Sequence, residues 1–562
     1  MTMEYIIFVA AMLIFILILM IKGYLDYQRE QKDFIRQLYD DYGTLPPREY
    51  KPEQYDNISR YFEKHRKGFF IDDITWNDLG MDEVFKKMHY TYSAAGEEYL
   101  YYTLRTPFQN KEELEEREGL IDFFQTHPKE RVACQYLFAR LGRTGKFSIY
   151  DYLDYLDDLG ERSNLTHYAA IGAVLLGIGA LFVNLPLGLF FLICAFIVNI
   201  ISYFKVKGEI DPYIVSFSYI FRLREMTDEL CGKKIGALFR ETESLLRASR
   251  GLASFKRGSY ILMSPARMSG SGSGNVIEIF LDYLRMIFHL DLIKFNNMLS
   301  EVRKHRKDID EMLEIVGKIE TVIAIGAFRA GNAWCVPVFT EKKEIHAENV
   351  YHPLIADPVK NDISTERGVL ITGSNASGKS TFLKTIAINA LLAQTIHTCL
   401  ADSYRTGMFR VLSSMSLRDD IISGDSYYMV EIKALKRILD EISGEGNPVL
   451  CFVDEVLRGT NTVERIAASA QILKSLAGGN CLCFAATHDI ELTRLLREEY
   501  RNYHFEEEIR DNDILFSYKL MNGRSSTRNA IRLLGIMGYE EEIVHRAERL
   551  AEDFLRNGSW SP

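Results

Sequence analysis

The chain has 562 residues, 47% hydrophobic and 26% charged, with 13 prolines and a formal net charge of −10. At about 100–200 residues per domain that corresponds to about three or four domains, and the composition excludes a disordered or collagen-like chain. The acidic balance argues against a globally basic nucleic-acid binder and leaves room only for a local basic patch.

The first element is apolar. Tyr5 to Ile21 carries no charge, and Lys22, Arg29, Lys32 and Arg36 follow it. A signal peptide has its basic residues before the apolar run and a small-residue cleavage site after it. The reversed order predicts an uncleaved transmembrane helix over 1–22. Residues 23–70 read as a polar juxtamembrane segment, and 71–165 as a helical core with half-buried tyrosines.

Ser163 to Phe204 contains no Asp, Glu, Lys or Arg, and Asn184-Leu185-Pro186 interrupts it midway. That length suits two short spans, so a transmembrane helical hairpin is expected over 166–204. The competing reading is a buried hairpin of a soluble domain. Arg162 precedes the stretch and Lys205 and Lys207 follow it. By the excess of Lys and Arg in cytoplasmic flanks, the body and these flanks face the cytoplasm, and the N-terminus and hairpin tip face outward. The expected location is the plasma membrane, multi-pass, with a cytoplasmic body.

Residues 205–330 read as long helices around a short basic linker at 247–275. The linker holds Arg247, Arg250, Lys256, Arg257 and Arg267, no acid, and the run Ser269 to Gly274 of alternating Ser and Gly. It is either a solvated loop or a contact to nucleic acid or lipid head groups. Over 276–328, Ile309, Met312, Ile315, Ile319 and Val322 recur at helical spacing and mark one apolar face.

From 331 onward, short β-rich runs alternate with helices. Gly373, Ser374, Asn375, Ala376, Ser377, Gly378, Lys379, Ser380 and Thr381 match G-x-x-x-x-G-K-[ST]. The motif follows the apolar run Val369 to Thr372 and opens a helix-like segment, the strand–loop–helix context it requires. Glycines let backbone N–H groups curl round phosphates, and the helix N-terminus adds a favourable dipole. Lys379 would reach the β- and γ-phosphates of ATP, and Ser380 would ligate Mg²⁺. Val449 to Val453 is a second apolar run, ending in Asp454-Glu455. The aspartate suits the Mg²⁺ shell, and the glutamate can orient or deprotonate the attacking water. A third run, Cys481 to Ala486, ends in Thr487-His488, where a histidine can sense the γ-phosphate. The eight cysteines form no C-x-x-C pair and the twelve histidines no H-E-x-x-H, so neither a zinc ribbon nor a disulfide framework is indicated.

The combination resembles the MutS family. Ser426-Tyr-Tyr-Met-Val-Glu431 is similar to its S-x-x-M-x-E region, and Asp454 to Thr462 to its D-E-x-x-R-G-T-x-T. Ala486-Thr487-His488, Tyr351-His352-Pro353, Asn361-Asp362 and Asn375 fit as well. So does Ser93-Ala-Ala-Gly96 through Pro107, similar to the start of the family's helical core. The resemblance implies an α + α/β fold, a helical lever domain joined to an ABC-type P-loop ATPase over 331–562. It also implies ATP and Mg²⁺ as cofactors and a homodimer in which Ser426 completes the partner's nucleotide site. Glu455, His488 and Lys379 take the catalytic roles, and Val359 joins residues 373–381 in binding the nucleotide. Arg458 to Thr462 would lie at the dimer interface, and the helix near 540–556 resembles the dimer-stabilising tail.

The departures are largest in the parts that read DNA. No G-x-F-Y-E-like wedge and no connector domain occur in these residues, and about thirty residues near 246–275 are too few for the family's DNA clamp. Ser374 replaces the usual proline, and Val463-Glu464 the usual Asp-Gly. The expectation is a membrane-anchored ATPase coupled to DNA, duplex or branched. The alternative is a membrane mechanoenzyme that acts on a protein or lipid partner without nucleic acid.

Overall fold

The computed structural model describes residues 3–44, 57–108, 111–145, 147–252, 283–374, 377–415, 427–458, 460–510, 513–524 and 530–558. The sequence-predicted positions Asn375, Ala376, Ser426, Gly459 and linker residues 253–275 lie outside them. The chain divides into two compact units. One comprises Met1–His65, His89–Tyr102 and Leu120–Ala327, the other Arg66–Met88, Thr103–Gly119 and Phe328–Pro562.

The first unit is helical throughout its described residues. Its first helix, Met3–Asp40, runs on without a break past Lys22, because no proline interrupts 22–40. Further on, the expected continuous pattern over 276–328 is interrupted. Helices Leu290–Lys304 and Arg306–Ala330 are separated at His305, whose ring meets Asp308 at 2.7 Å. His289, just before the first of these, has a left-handed backbone with φ 51°. On the second helix, Ile309, Met312, Val316, Ile319 and Val322 are buried, while Ile315 lies at the edge of that face.

Glu320 of the same helix is buried where the helix Ala94–Arg105 begins, and accepts hydrogen bonds from the Ser93 hydroxyl and from the Tyr92 and Ser93 amides. Burial pushes its carboxyl up to about 7, against the pull of those bonds. A Cβ at Gly96 would collide with the Glu320 carboxylate, which accounts for glycine there.

Helices Leu165–Val183 and Leu185–Ile210 form an apolar pair. Asn184 joins them, and its side chain accepts the Leu187 amide at 3.2 Å. Both are long and apolar enough to cross a membrane by length and composition, yet only 17% and 11% of their apolar windows are buried. Phe182 and Val183 are each 88% exposed, which is not how a core helix of a soluble domain looks.

A buried polar network ties the base of this pair to the segment 287–291. His167 Nδ1 lies 3.0 Å from His289 Nδ1, and His289 Nε2 3.0 Å from the Asn199 carbonyl. The Asn199 amide donates to the Ile287 carbonyl, and Tyr203 and Lys207 both reach Asp291, at 2.7 and 3.0 Å.

The second unit is built on a six-stranded sheet in the order β10-β9-β4-β8-β7-β6. The strands are β4 (Gly368–Thr372), β6 (Arg410–Ser414), β7 (Val449–Asp454), β8 (Cys481–Ala486), β9 (Tyr500–Arg510) and β10 (Asp513–Asn522). All pairings are parallel except β9 with β10. Every residue of β4, β6, β7 and β8 is buried. Strands covered on both faces read as unbroken apolar runs, and β7 and β8 do. The helix Lys379–Ile396 is buried almost all round. A smaller sheet joins β1 (Val338–Thr340), β5 (Ser403–Gly407), β2 (Ile345–Val350) and β3 (Asn361–Thr365) in that order.

Arg329 anchors this unit. Fully buried, it donates to both oxygens of Glu118 at 2.5 and 2.7 Å, to the Thr398 hydroxyl and to the His397 carbonyl, and lies 4.1 Å from the Trp334 ring. Removing one partner of such a buried pair costs about 3–5 kcal/mol, because the other charge is left uncompensated. Arg329→Ala is expected to destabilise the protein by that amount, read from denaturant unfolding; a loss below about 1 kcal/mol would contradict this account.

Candidate functional site

The site forms at the carboxyl ends of β4, β7 and β8, where parallel α/β sheets place ligands. β4 ends at Thr372 and the chain turns at Gly373, with φ 150°. A Cβ there would meet Ser377 Oγ at 2.8 Å and the Phe505 carbonyl at 3.0 Å, so the close turn admits only glycine. Gly378, with φ 103°, caps the helix Lys379–Ile396. Ser377 is buried and its hydroxyl donates to the Ser374 carbonyl at 2.9 Å. Ser380 and Thr381 are exposed on the first helical turn.

The Lys379 ammonium lies across the loop. It donates to the Gly373 and Ser374 carbonyls at 2.9 and 2.7 Å, and lies 3.4 Å from His488 Nε2. Burial lowers its pKa, opposed by the nearby charges of Glu455 and Asp454.

Two adjacent strands supply the acids and the histidine. Asp454 pairs in register with Ala486, and the Glu455 amide donates to the Ala486 carbonyl at 3.0 Å. Glu455 Oε1 lies 2.6 Å from His488 Nε2, and its Oε2 2.5 Å from Arg458 Nε. Burial acts to raise the Glu455 carboxyl, but the His488 hydrogen bond and charge, with Arg458 and Lys379, outweigh it and hold it below the usual carboxylate range. Asp454 Oδ1 is buried and has no hydrogen-bond partner among the described residues. Such an acceptor is costly to leave unmet, and a bound cation would satisfy it.

A cleft of about 350 Å³ opens beside the loop, lined by His352, Val359, Thr381, Phe505 and Tyr518 among others. His352 accepts the Leu354 amide at its Nδ1, and burial, aided by Lys384 and Lys87, lowers its pKa to about 4, so the ring is neutral. Lys379, Glu455 and His488 therefore meet at one point, and Val359 and Thr381 meet at the neighbouring cleft.

Sequence reasoning missed Glu507, which accepts the Ser374 hydroxyl from β9. It also missed the ion pair of Arg458 with Glu455. The first has a faint signal, since a strand paired with β4 must present some side chain to the loop, but nothing in the spacing names which one.

A parallel sheet with a glycine loop, an acid pair and a histidine at neighbouring strand ends defines an α/β domain with one composite strand-end site. The family model of MutS domain V matches residues 369–555, about a third of the chain, so this stretch carries a domain of that type. The chain is 28% identical over 275 residues to the DNA mismatch repair protein MutS of Thermotoga maritima, covering 47% of this chain and 34% of that one. Over 256 residues it is 28% identical to the MutS of Thermus thermophilus, 45% of this chain and 31% of the relative. It is also 31% identical over 274 residues to the MutS of Natronomonas pharaonis, 46% and 31%. The chain thus spans about a third of the length of the curated relatives it matches.

Proposed function

We propose that this chain is a MutS-type ATPase that binds and hydrolyses ATP in a homodimer, anchored in a membrane with its ATPase body cytoplasmic, and couples that cycle to duplex or branched DNA. The observation that carries the ATPase reading is the meeting of Lys379, Glu455 and His488 beside Asp454, whose Oδ1 has no hydrogen-bond partner among the described residues. Lys379 would exchange the two loop carbonyls for phosphate oxygens, helped by the amides of residues 373–378. Ser380 and Asp454 would hold Mg²⁺, which when bound screens the phosphate charge. Glu455 stays ionised beside His488 and Arg458, so it serves better to orient the attacking water than to take its proton. Val359 and the cleft beside Thr381 would receive the base of the nucleotide. Ser426 and Arg458 would face the partner subunit, and the amphipathic helix Glu541–Asn557 would stabilise the dimer.

Membrane anchoring is supported by the outward-facing apolar side chains of the pair 165–210 and by the basic residues that flank it. DNA enters through the relatives, whose names state DNA mismatch repair. The second reading, a membrane mechanoenzyme without nucleic acid, is favoured by the polar network of His167, His289, Asn199 and Asp291. It would carry any displacement of segment 287–291 to the apolar pair.

A salt-titrated binding assay separates the two. Detergent-solubilised Glu455→Gln protein with ATP is offered matched duplex, mismatched duplex and a four-way junction. DNA coupling predicts a preference for one form that changes with ATP, on top of a steep salt dependence. Weak association alone, equal for all three and indifferent to ATP, would leave the mechanoenzyme.

A further inference from the structure

We propose that Glu431 is a positioning residue for ATP hydrolysis, holding the turn that presents Glu455 by accepting the Leu457 amide. The inference rests on the reading of Glu455 as the residue that orients water.

The turn 455–458 is an unusual piece of backbone. Glu455 and Leu457 both adopt left-handed conformations, with φ 58° and 59°, although neither is glycine. Conformations of this kind persist only where the surroundings over-determine them, and they gather at functional sites. Three bonds do so here. The Glu455 amide donates to the Ala486 carbonyl at 3.0 Å, and the Ser469 hydroxyl to the Val456 carbonyl at 3.2 Å. The third is the Leu457 amide on Glu431 Oε1.

The first two bonds come from β8 and from the helix Thr462–Gly478. Glu431 comes from elsewhere, the helix Tyr427–Ile442, about one turn beyond its start. It is 3% exposed, and Leu435 and Ile438 of its own helix share one apolar cluster with Val456 and Leu457 of the turn. Burial raises its pKa, while the amides of Leu457 and Arg458 pull the other way. A carboxyl placed in such a bed costs free energy unless it is hydrogen-bonded, and the Leu457 amide supplies that bond. The bond joins the segment that follows Ser426 to the turn that carries Glu455 and Arg458, so a shift of that helix is felt at the Glu455 carboxylate.

The test uses the full chain in detergent, as wild type, Glu431→Ala and Glu431→Gln. Two readouts accompany turnover: affinity for a fluorescent ATP analogue, and hydrogen exchange of the 456–458 amides without nucleotide. In Glu431→Ala the Leu457 amide is expected to exchange at least about tenfold faster, and kcat to fall about tenfold or more, with affinity unchanged within about twofold. Glu431→Gln keeps an acceptor oxygen in the same shape and should restore slow exchange and most of kcat. Unchanged exchange and turnover in Glu431→Ala would overturn the proposal. So would a Gln variant that loses turnover while its exchange stays slow. Should Glu431→Ala fail to fold, the Gln variant decides by the same two measurements. A wild-type protein that neither binds the analogue nor turns over ATP removes the ATPase reading instead, and the nucleotide-free exchange still reports whether Glu431 holds the turn.

Discussion

Glu455→Gln is expected to bind ATP as wild type does and to hydrolyse it about 10²-fold more slowly or worse, the scale for loss of a group that positions a reactant. The substitution keeps the shape of the side chain and removes its charge. Oε1 now receives His488 at 2.6 Å and Oε2 receives Arg458 at 2.5 Å. A neutral amide must present one NH₂ to one of those partners, so the pair reorganises and water loses its charged acceptor. Binding should survive because the phosphate contacts would come from Lys379 and the glycine loop. The wild-type carboxylate ionises below the usual range, so its folded pKa is depressed. Its contribution to stability is present above the unfolded value and is lost only as pH falls through that depressed value. The Gln variant should lack this acid-side loss. Rapid-mixing measurement of product formation, beside equilibrium binding, checks the prediction; full turnover by the variant would falsify the assignment of Glu455.

Lys379→Ala is the second large effect, and it falls on binding. Each hydrogen bond to a charged group contributes about 1.5–3 kcal/mol, so losing contacts to two phosphates weakens Kd by about 10²–10⁴-fold. Without nucleotide the ammonium satisfies the Gly373 and Ser374 carbonyls. In the variant those two acceptors lose their donor, and the loop should become less protected in hydrogen exchange as well. Retention of ATP affinity within about threefold would mean that Lys379 serves the loop and not the nucleotide.

Much of the second unit was legible because its pattern is local. A strand buried on both faces must be apolar at every position, so Val449 to Val453 and Cys481 to Ala486 declare themselves without any alternation. A loop that wraps phosphates needs glycines and a lysine at set offsets, so residues 373–381 do too. The acid pair and the histidine follow at the strand ends, where parallel sheets bring such side chains together.

Sequence alone therefore determined the strand–loop–helix around Lys379, the strand ends that bear Asp454, Glu455 and His488, and the long uncharged stretch from Ser163 to Phe204. Each of these is encoded within a few consecutive residues. Only the tertiary structure decided which distant side chains complete them. Glu507 reaches Ser374 across 133 positions, and Glu431 meets the Leu457 amide across 26. Asp78, on a helix expected to belong to the helical core, instead accepts the Ser413 hydroxyl 335 positions away, beside β6. The break at His305 and the polar network below the apolar pair were hidden for the same reason. A single hydrogen bond between remote residues leaves no period or spacing in the chain, and exists only once the sheet and helices have brought its two ends within 3 Å or so.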